Sequence, residues 1–138
     1  MKLNPDCIRD LMLTLEEITC INVGSRYTFR GVNCKSLAHK FLNVYEESEI
    51  AYTLIQLSES GYIEMPFKCD NKIRVVEMGN ILYVTPKGHE LISNMKAEGN
   101  WDKIKKILAP MGGVSLAVIE AISSGITGAL IAKATGQA

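Results

Sequence analysis

The sequence lacks net charge: fifteen Lys and Arg balance fifteen Asp and Glu over 138 residues. It therefore lacks the overall basic excess of most dedicated nucleic-acid binders, and any such contact must come from a local patch. A CxxC pair is also missing, because Cys7, Cys20, Cys34 and Cys69 stand far apart, and no basic region precedes an apolar run near Met1. The expectation is a cytoplasmic protein whose reduced thiols serve as small core hydrophobes. Cys34 and His39 can supply two zinc ligands, but a structural site takes four and no second cluster has suitable spacing, so no metal is expected.

Catalytic signatures are equally scarce. There is no GxSxG and no phosphate-cradling glycine loop with Lys, and Ser93 stands where a zinc-protease helix would add a second His to His89 and Glu90. His89 reads instead as partly buried and hydrogen-bonded near a helix start, and Gly88 as a residue permitting close packing. Glu16 and Glu17, adjacent on a helix, point in different directions and make no acid/base pair. The chain reads as non-enzymatic, with no cofactor, catalytic residue or small-molecule substrate.

What is present is about one domain's worth of globular chain, 47% hydrophobic and 22% charged. Asn4 as cap, Pro5 at the first position and Asp6 near the dipole announce a helix whose apolar stripe is Ile8, Leu11, Leu15 and Ile18. It ends before Asn22–Ser25. The alternation of Tyr27 and Phe29 with Thr28 and Arg30 predicts a short strand within 26–32. Cys34–Leu42 predicts a short helix with Leu37 and Phe41 inward. Asn43 is placed to cap the next, with Glu46 as its capping-box partner and Ile50, Leu54 and Leu57 buried before Gly61 stops it.

Tyr62–Phe67 and Ile81–Val84 read as two strands joined by a long flexible connection. Thr85 and Pro86 start another helix, with Leu91, Ile92 and Met95 inward, that Gly99 ends. A further helix from Asn100 to about Leu108 has Trp101, Ile104 and Leu108 as its seam, closed by Pro110, Gly112 and Gly113. This order predicts an α+β, mostly helical fold: a winged helix-turn-helix domain over 1–98 with a β-hairpin wing, and a helical extension over 99–138. Glu46–Ser60 takes the place of the recognition helix.

Four stretches also carry a resemblance: Met1–Asp10, Glu49–Tyr52 leading into Gly61–Glu64, Thr85–Leu91, and Trp101. They resemble an uncharacterised domain family of small bacterial and prophage proteins, with Gly88, His89, Glu90 and the later Trp the most distinctive. The resemblance implies a winged-helix-like fold and a phage or mobile-element setting, and transfers no catalytic or binding residue. The stretch Lys68–Gly79 is longer than the family pattern.

Charge placement tests a DNA-binding role. No Lys or Arg lies between Lys40 and Lys68, whereas Glu46, Glu47, Glu49, Glu59 and Glu64 do. A recognition helix so composed would face phosphates repulsively, which disfavours the standard docking. Its outward wheel positions, Glu49, Thr53, Gln56 and Ser60, read bases only if another element supplies affinity. The candidates for that are Arg26, Arg30, Lys35 and Lys40, which have no acid between them, with Lys68, Lys72 and Arg74 in the wing.

The last third carries the other signal. From Met111 to Ala132 the only charge is Glu120. Val114, Val118, Ile119, Ile122, Ile126 and Leu130 form a bulky side of a helix, and Ala117, Ala121, Ser124 and Gly128 an adjacent small-residue side. Self-association is favoured over packing within the chain, with a membrane anchor least favoured because of Glu120 and the many Gly, Ser and Thr residues. The expected interface is Val114, Ala117, Val118, Ala121, Ile122, Ile126, Gly128 and Leu130. The leading expectation is an interaction or regulatory protein that homo-oligomerises and contacts protein rather than nucleic acid. The alternative is a transcriptional regulator contacting DNA through residues 26–40 and the wing.

Overall fold

A computed structural model describes residues 1–111 and 114–136, with Leu130 described by its backbone alone. Asn4 opens α1 (Pro5–Ile18), its side chain accepting from the Asp6 amide at 3.0 Å, and Pro5 takes the position where a missing N–H costs nothing. The apolar stripe drives Ile8, Leu11 and Leu15 into the core along with Cys7 and Met12, while Ile18 is only half-buried.

Beyond α1 the chain turns back on itself. The stretch expected to be a break holds β1 (Ile21–Val23), which pairs antiparallel with β2 (Tyr27–Phe29) around Gly24, Ser25 and Arg26. Pairing across the turn overrides the breaker character of Asn22. Asn33 then caps α2 (Cys34–Lys40), accepting from the Lys35 amide at 2.8 Å. Asn43 caps nothing. It takes φ 68°, a left-handed conformation Asn tolerates, and α3 (Glu47–Glu59) starts four residues later with Glu46 at the cap position. The α2–α3 connection is tied to α1 where the Tyr45 hydroxyl donates to Asp10 at 2.6 Å.

The expected return strands are β3 (Ile63–Glu64) and β6 (Tyr83–Val84), paired antiparallel. Their connection is itself ordered, as a hairpin of β4 (Phe67–Asp70) and β5 (Val75–Met78). Asp70 organises its turn by accepting from the Lys72 and Ile73 amides at 2.9 and 3.3 Å. Val32 and Ile81 exchange both backbone hydrogen bonds at 2.8 Å, so the segment 81–84 is flanked by Val32 and by β3.

Thr85 caps α4 (Pro86–Met95) by accepting from the Gly88 amide at 3.1 Å. The helix ends at Met95, and α5 (Glu98–Leu108) carries Gly99 inside its first turn, where a glycine costs little. The Trp101 indole donates to Asp6 at 3.1 Å and the Arg9 guanidinium lies over its ring, while Arg9 Nε donates to the Met95 carbonyl at 3.0 Å. These contacts lock α5 and the end of α4 onto α1. Ser115 caps α6 (Leu116–Ala134).

Among the described residues the architecture is α+β, with six helices and three two-stranded antiparallel sheets. One core joins α1, α3, α4 and α5, and Leu116 and Ile119 from α6 belong to it.

Candidate functional site

Of the seven expected basic residues, four fall into two clefts. Arg30, at the end of the β1–β2 hairpin, and Lys40, at the end of α2, line one open cleft of about 580 Å³ with Asn33, Ser36 and Asn80, and Glu17 lines it too. The left-handed turn at Gly31 closes one side. A Cβ there would come within 3.1 Å of Asn80, at a φ of 71° that L side chains rarely adopt. Lys68 and Lys72 line a second cleft on the β4–β5 hairpin, together with Asp70 and Glu77. Arg26, Lys35 and Arg74 are exposed and line neither. Each cleft thus mixes cations with carboxylates.

The helix expected to read bases is not open for that purpose. Thr53 is fully buried, its hydroxyl donating to the Glu49 carbonyl at 2.8 Å, and the Glu49 carboxylate is half-buried, accepting from the Asn4 side chain at 3.3 Å. Thr53 is therefore a core position rather than an outward one. Backbone bonding satisfies its hydroxyl and lets it sit beside Cys7. Gln56 and Ser60 line a groove of about 390 Å³ whose other walls include Leu3, Ser115 and Ala117, so the N-terminus and the start of α6 border this side of α3. The exposed side chains of α3 are Glu47, Ser48 and Glu59.

The C-terminal helix divides along its length. Leu116, Ile119 and Ser123 are buried, and Val114, Val118, Ile122 and Ile126 are half-buried against the core, so much of the expected bulky interface is committed within the chain. Wheel geometry identifies such a stripe but not its occupant, and here α4 and α5 take it. Glu120, the charge that interrupts the apolar run, accepts a hydrogen bond from the Tyr62 hydroxyl. Burial, reinforced by that carboxylate, pushes the Tyr62 phenol well above its ordinary pKa. The small-residue side stays open: Ala117, Ala121, Ser124 and Gly128 are exposed, and among the described residues nothing lies within 4 Å of a Cβ built at Gly125 or Gly128. Ile131 is exposed, and the Leu130 side chain lies outside the described residues. The helix is long and apolar enough to cross a membrane, yet only 18% of that stretch is buried.

The cysteines divide between core and surface. Burial holds the Cys7 thiol up at about 11, and Cys34 is also raised, by burial and then by Glu47; thiols kept protonated are poor nucleophiles. Cys20 and Cys69 are exposed, so the thiols are core residues only in part. No group of three His, Cys, Asp or Glu able to hold a metal occurs among the described residues. His89 is exposed rather than partly buried, with Nδ1 3.7 Å from Glu16, which also pairs with Lys96 at 3.3 Å. Gly88 does permit close packing. A Cβ there would lie 2.1 Å from the Tyr62 carbonyl oxygen and 2.7 Å from Val84.

Sequence reasoning missed one surface. The β1–β2 register places Ile21, Val23, Tyr27 and Phe29 on one face, and all four are exposed. Alternation of Tyr27 and Phe29 signals such a face, but its uncovered state depends on tertiary placement.

Residues 2–115 match the model of a family described as "Hypothetical protein (DUF2513)". That match ends at Ser115, the cap of α6. No curated protein and no solved structure gives a significant match.

Proposed function

The chain belongs to the DUF2513 family, a domain of unknown function, and from its geometry we propose a non-enzymatic, winged-helix-type interaction or regulatory module that self-associates through α6. The observation that carries this reading is the open side of α6. An apolar helix with 18% of its length buried and an exposed row of Ala117, Ala121 and Gly128 leaves a surface on which a second helix can approach closely. A C2 pairing of that row with itself would cover it in both copies.

The winged-helix element is supported by the order of helices and by the pairing of Val32 with Ile81 beside β3, with β4–β5 in the place of the wing. The phage or prophage setting rests on the sequence resemblance. A protein partner is favoured over duplex DNA by α3, bordered by the N-terminus and residues 114–117 and presenting Glu47 and Glu59 to solvent. Sedimentation equilibrium of the full chain is the test: a mass above 15.2 kDa that rises with concentration is expected, and a single mass of 15.2 kDa throughout contradicts the proposal.

A second reading, a regulator contacting DNA through 26–40 and the wing, draws on the shared cleft of Arg30 and Lys40. It requires duplex binding that weakens steeply between roughly 50 and 200 mM salt, read by fluorescence anisotropy. Absence of binding at the lower salt removes it.

A further inference from the structure

The β1–β2 hairpin carries four large apolar side chains that the fold leaves in solvent. Ile21, Val23, Tyr27 and Phe29 are 54%, 78%, 77% and 45% exposed, all on one face, with Asn22 and Thr28 on the other. Tyr83, itself 36% exposed, extends the face, its ring centroid 5.0 Å from that of Phe29. Scattered apolar residues need no explanation, but a contiguous patch marks an interaction site.

Two features identify the medium that fits it. The patch ends in a projecting finger: its most exposed members, Val23 and Tyr27, pair across the turn at the far end of the hairpin, while Ile21, Phe29 and Tyr83 at its base line a small cleft of about 210 Å³. Protein hot spots are well-packed anchors seated in pockets, whereas a projecting ridge suits a deformable apolar phase. The charge carried by the hairpin's own stretch of chain has one sign. Between Glu17 and Glu46 the chain has Arg26, Arg30, Lys35 and Lys40 and no carboxylate, with Arg26 in the turn next to Tyr27. Carboxylates border its base: Glu16, which pairs with Lys96 at 3.3 Å, Glu17, which shares a cleft with Arg30 and Lys40, and Glu64, opposite Tyr83.

We propose that this face is a peripheral docking site for an anionic lipid bilayer, with Ile21, Val23, Tyr27 and Phe29 entering the headgroup–acyl boundary and Arg26 and Arg30 meeting lipid phosphates. Aliphatic side chains gain by leaving water, aromatic rings sit stably at headgroup level, and guanidinium groups pair with phosphate in bidentate geometry. Each cation held near an anionic surface strengthens attachment by about fivefold. Such attachment lies on the membrane and does not cross it. The site stands apart from α6 and from the self-association proposed for it.

The test is flotation of the full chain with vesicles of phosphatidylcholine alone and of phosphatidylcholine mixed with phosphatidylserine. Binding to the mixed vesicles is expected, weaker by about fivefold or more on the neutral ones and at high salt. Val23→Asp with Tyr27→Asp, both at exposed positions, is expected to weaken binding by about tenfold or more while leaving circular dichroism and solution mass unchanged. Tyr27→Trp is expected to shift its emission to the blue on the mixed vesicles, against the buried Trp101. Ala121→Glu with Gly128→Glu is expected to float as the parent does. Failure to float with the mixed vesicles, undiminished binding by the Asp variant, or loss of binding only in the α6 variant overturns the proposal. So does a fall in solution mass in the Asp variant, which would assign the face to a second copy, or binding of single-stranded DNA abolished by it, which would assign the face to base stacking.

Discussion

Gly88 in α4 and Gly128 in α6 are glycines on helices of one chain, and their surroundings are opposite. A methyl group at Gly88 would strike the Tyr62 carbonyl at 2.1 Å, whereas one at Gly128 would meet nothing within 4 Å among the described residues. The first glycine lets α4 press against the β3 end of the sheet, and closeness is its role. The second lies on a surface that no described residue covers, where closeness would serve another copy. The same residue type thus separates a finished interface from an open one.

The sharpest way to break this contrast is Gly88→Ala. The clash is with backbone, which cannot rotate aside, so a loss of about 3 kcal/mol or more is expected, seen as a fall in Tm of ~10 °C or more. An unchanged Tm would mean that α4 is not seated as described. Within α6 the comparison is between halves. Ile119→Ala, fully buried, should cost about 2–4 kcal/mol in denaturant unfolding. Ile131→Ala, 60% exposed, should cost less than about 0.5 kcal/mol for the monomer. Equal costs would show that the helix is either wholly docked or wholly free.

A pH effect sharpens the same division. Tyr62 is held neutral by burial and by Glu120, Tyr45 by burial and by Asp10, and Cys7 by burial, so all three acids have folded pKa values above their ordinary ones. For acids shifted upward the unfolded chain loses protons first, so stability is full below the ordinary values and falls as pH rises. Unfolding midpoints should hold to about pH 9, the ordinary Cys value, and drop beyond 10, the ordinary Tyr value. Tyr62→Phe should flatten part of that drop. A midpoint rising above pH 10 would contradict the assignment. Of opposite sign, Gly128→Ala should stabilise the dilute chain by up to about 1 kcal/mol through helix propensity, with weaker self-association at high concentration.

How much of this was legible in the sequence follows from how local each cause is. α1 and α4 open where Asn4, Pro5, Thr85 and Pro86 indicate, because caps and proline act within one turn of chain. β1 and β4–β5 were not legible, since strands of three or four exposed residues exist through their partners rather than through their own propensity. Gly99 reads as a stop in the sequence, because a glycine's meaning depends on whether it falls in a helix's first turn or past its last. Thr53 reads as outward in the sequence because a polar residue at the edge of an apolar stripe resembles a solvent-facing one. Its hydroxyl instead bonds the Glu49 carbonyl and is buried. For the candidate site, the bulky and small sides of α6 were readable from spacing. That α4 and α5 occupy the bulky side, leaving the small side open, is a tertiary outcome that spacing does not contain. The hairpin face has the same character: alternation names its members, and only the fold decides that they stay exposed.

The most direct test of self-association through α6 is the solution mass, by light scattering, of the full chain and of its Ala121→Glu, Gly128→Glu variant. Deleting the helix is the poorer experiment, because Leu116 and Ile119 belong to the core. The account predicts a parent mass at a multiple of 15.2 kDa and a variant at 15.2 kDa with unchanged circular dichroism. A parent at 15.2 kDa across the concentration range, or a variant that keeps the parent's larger mass, would contradict it.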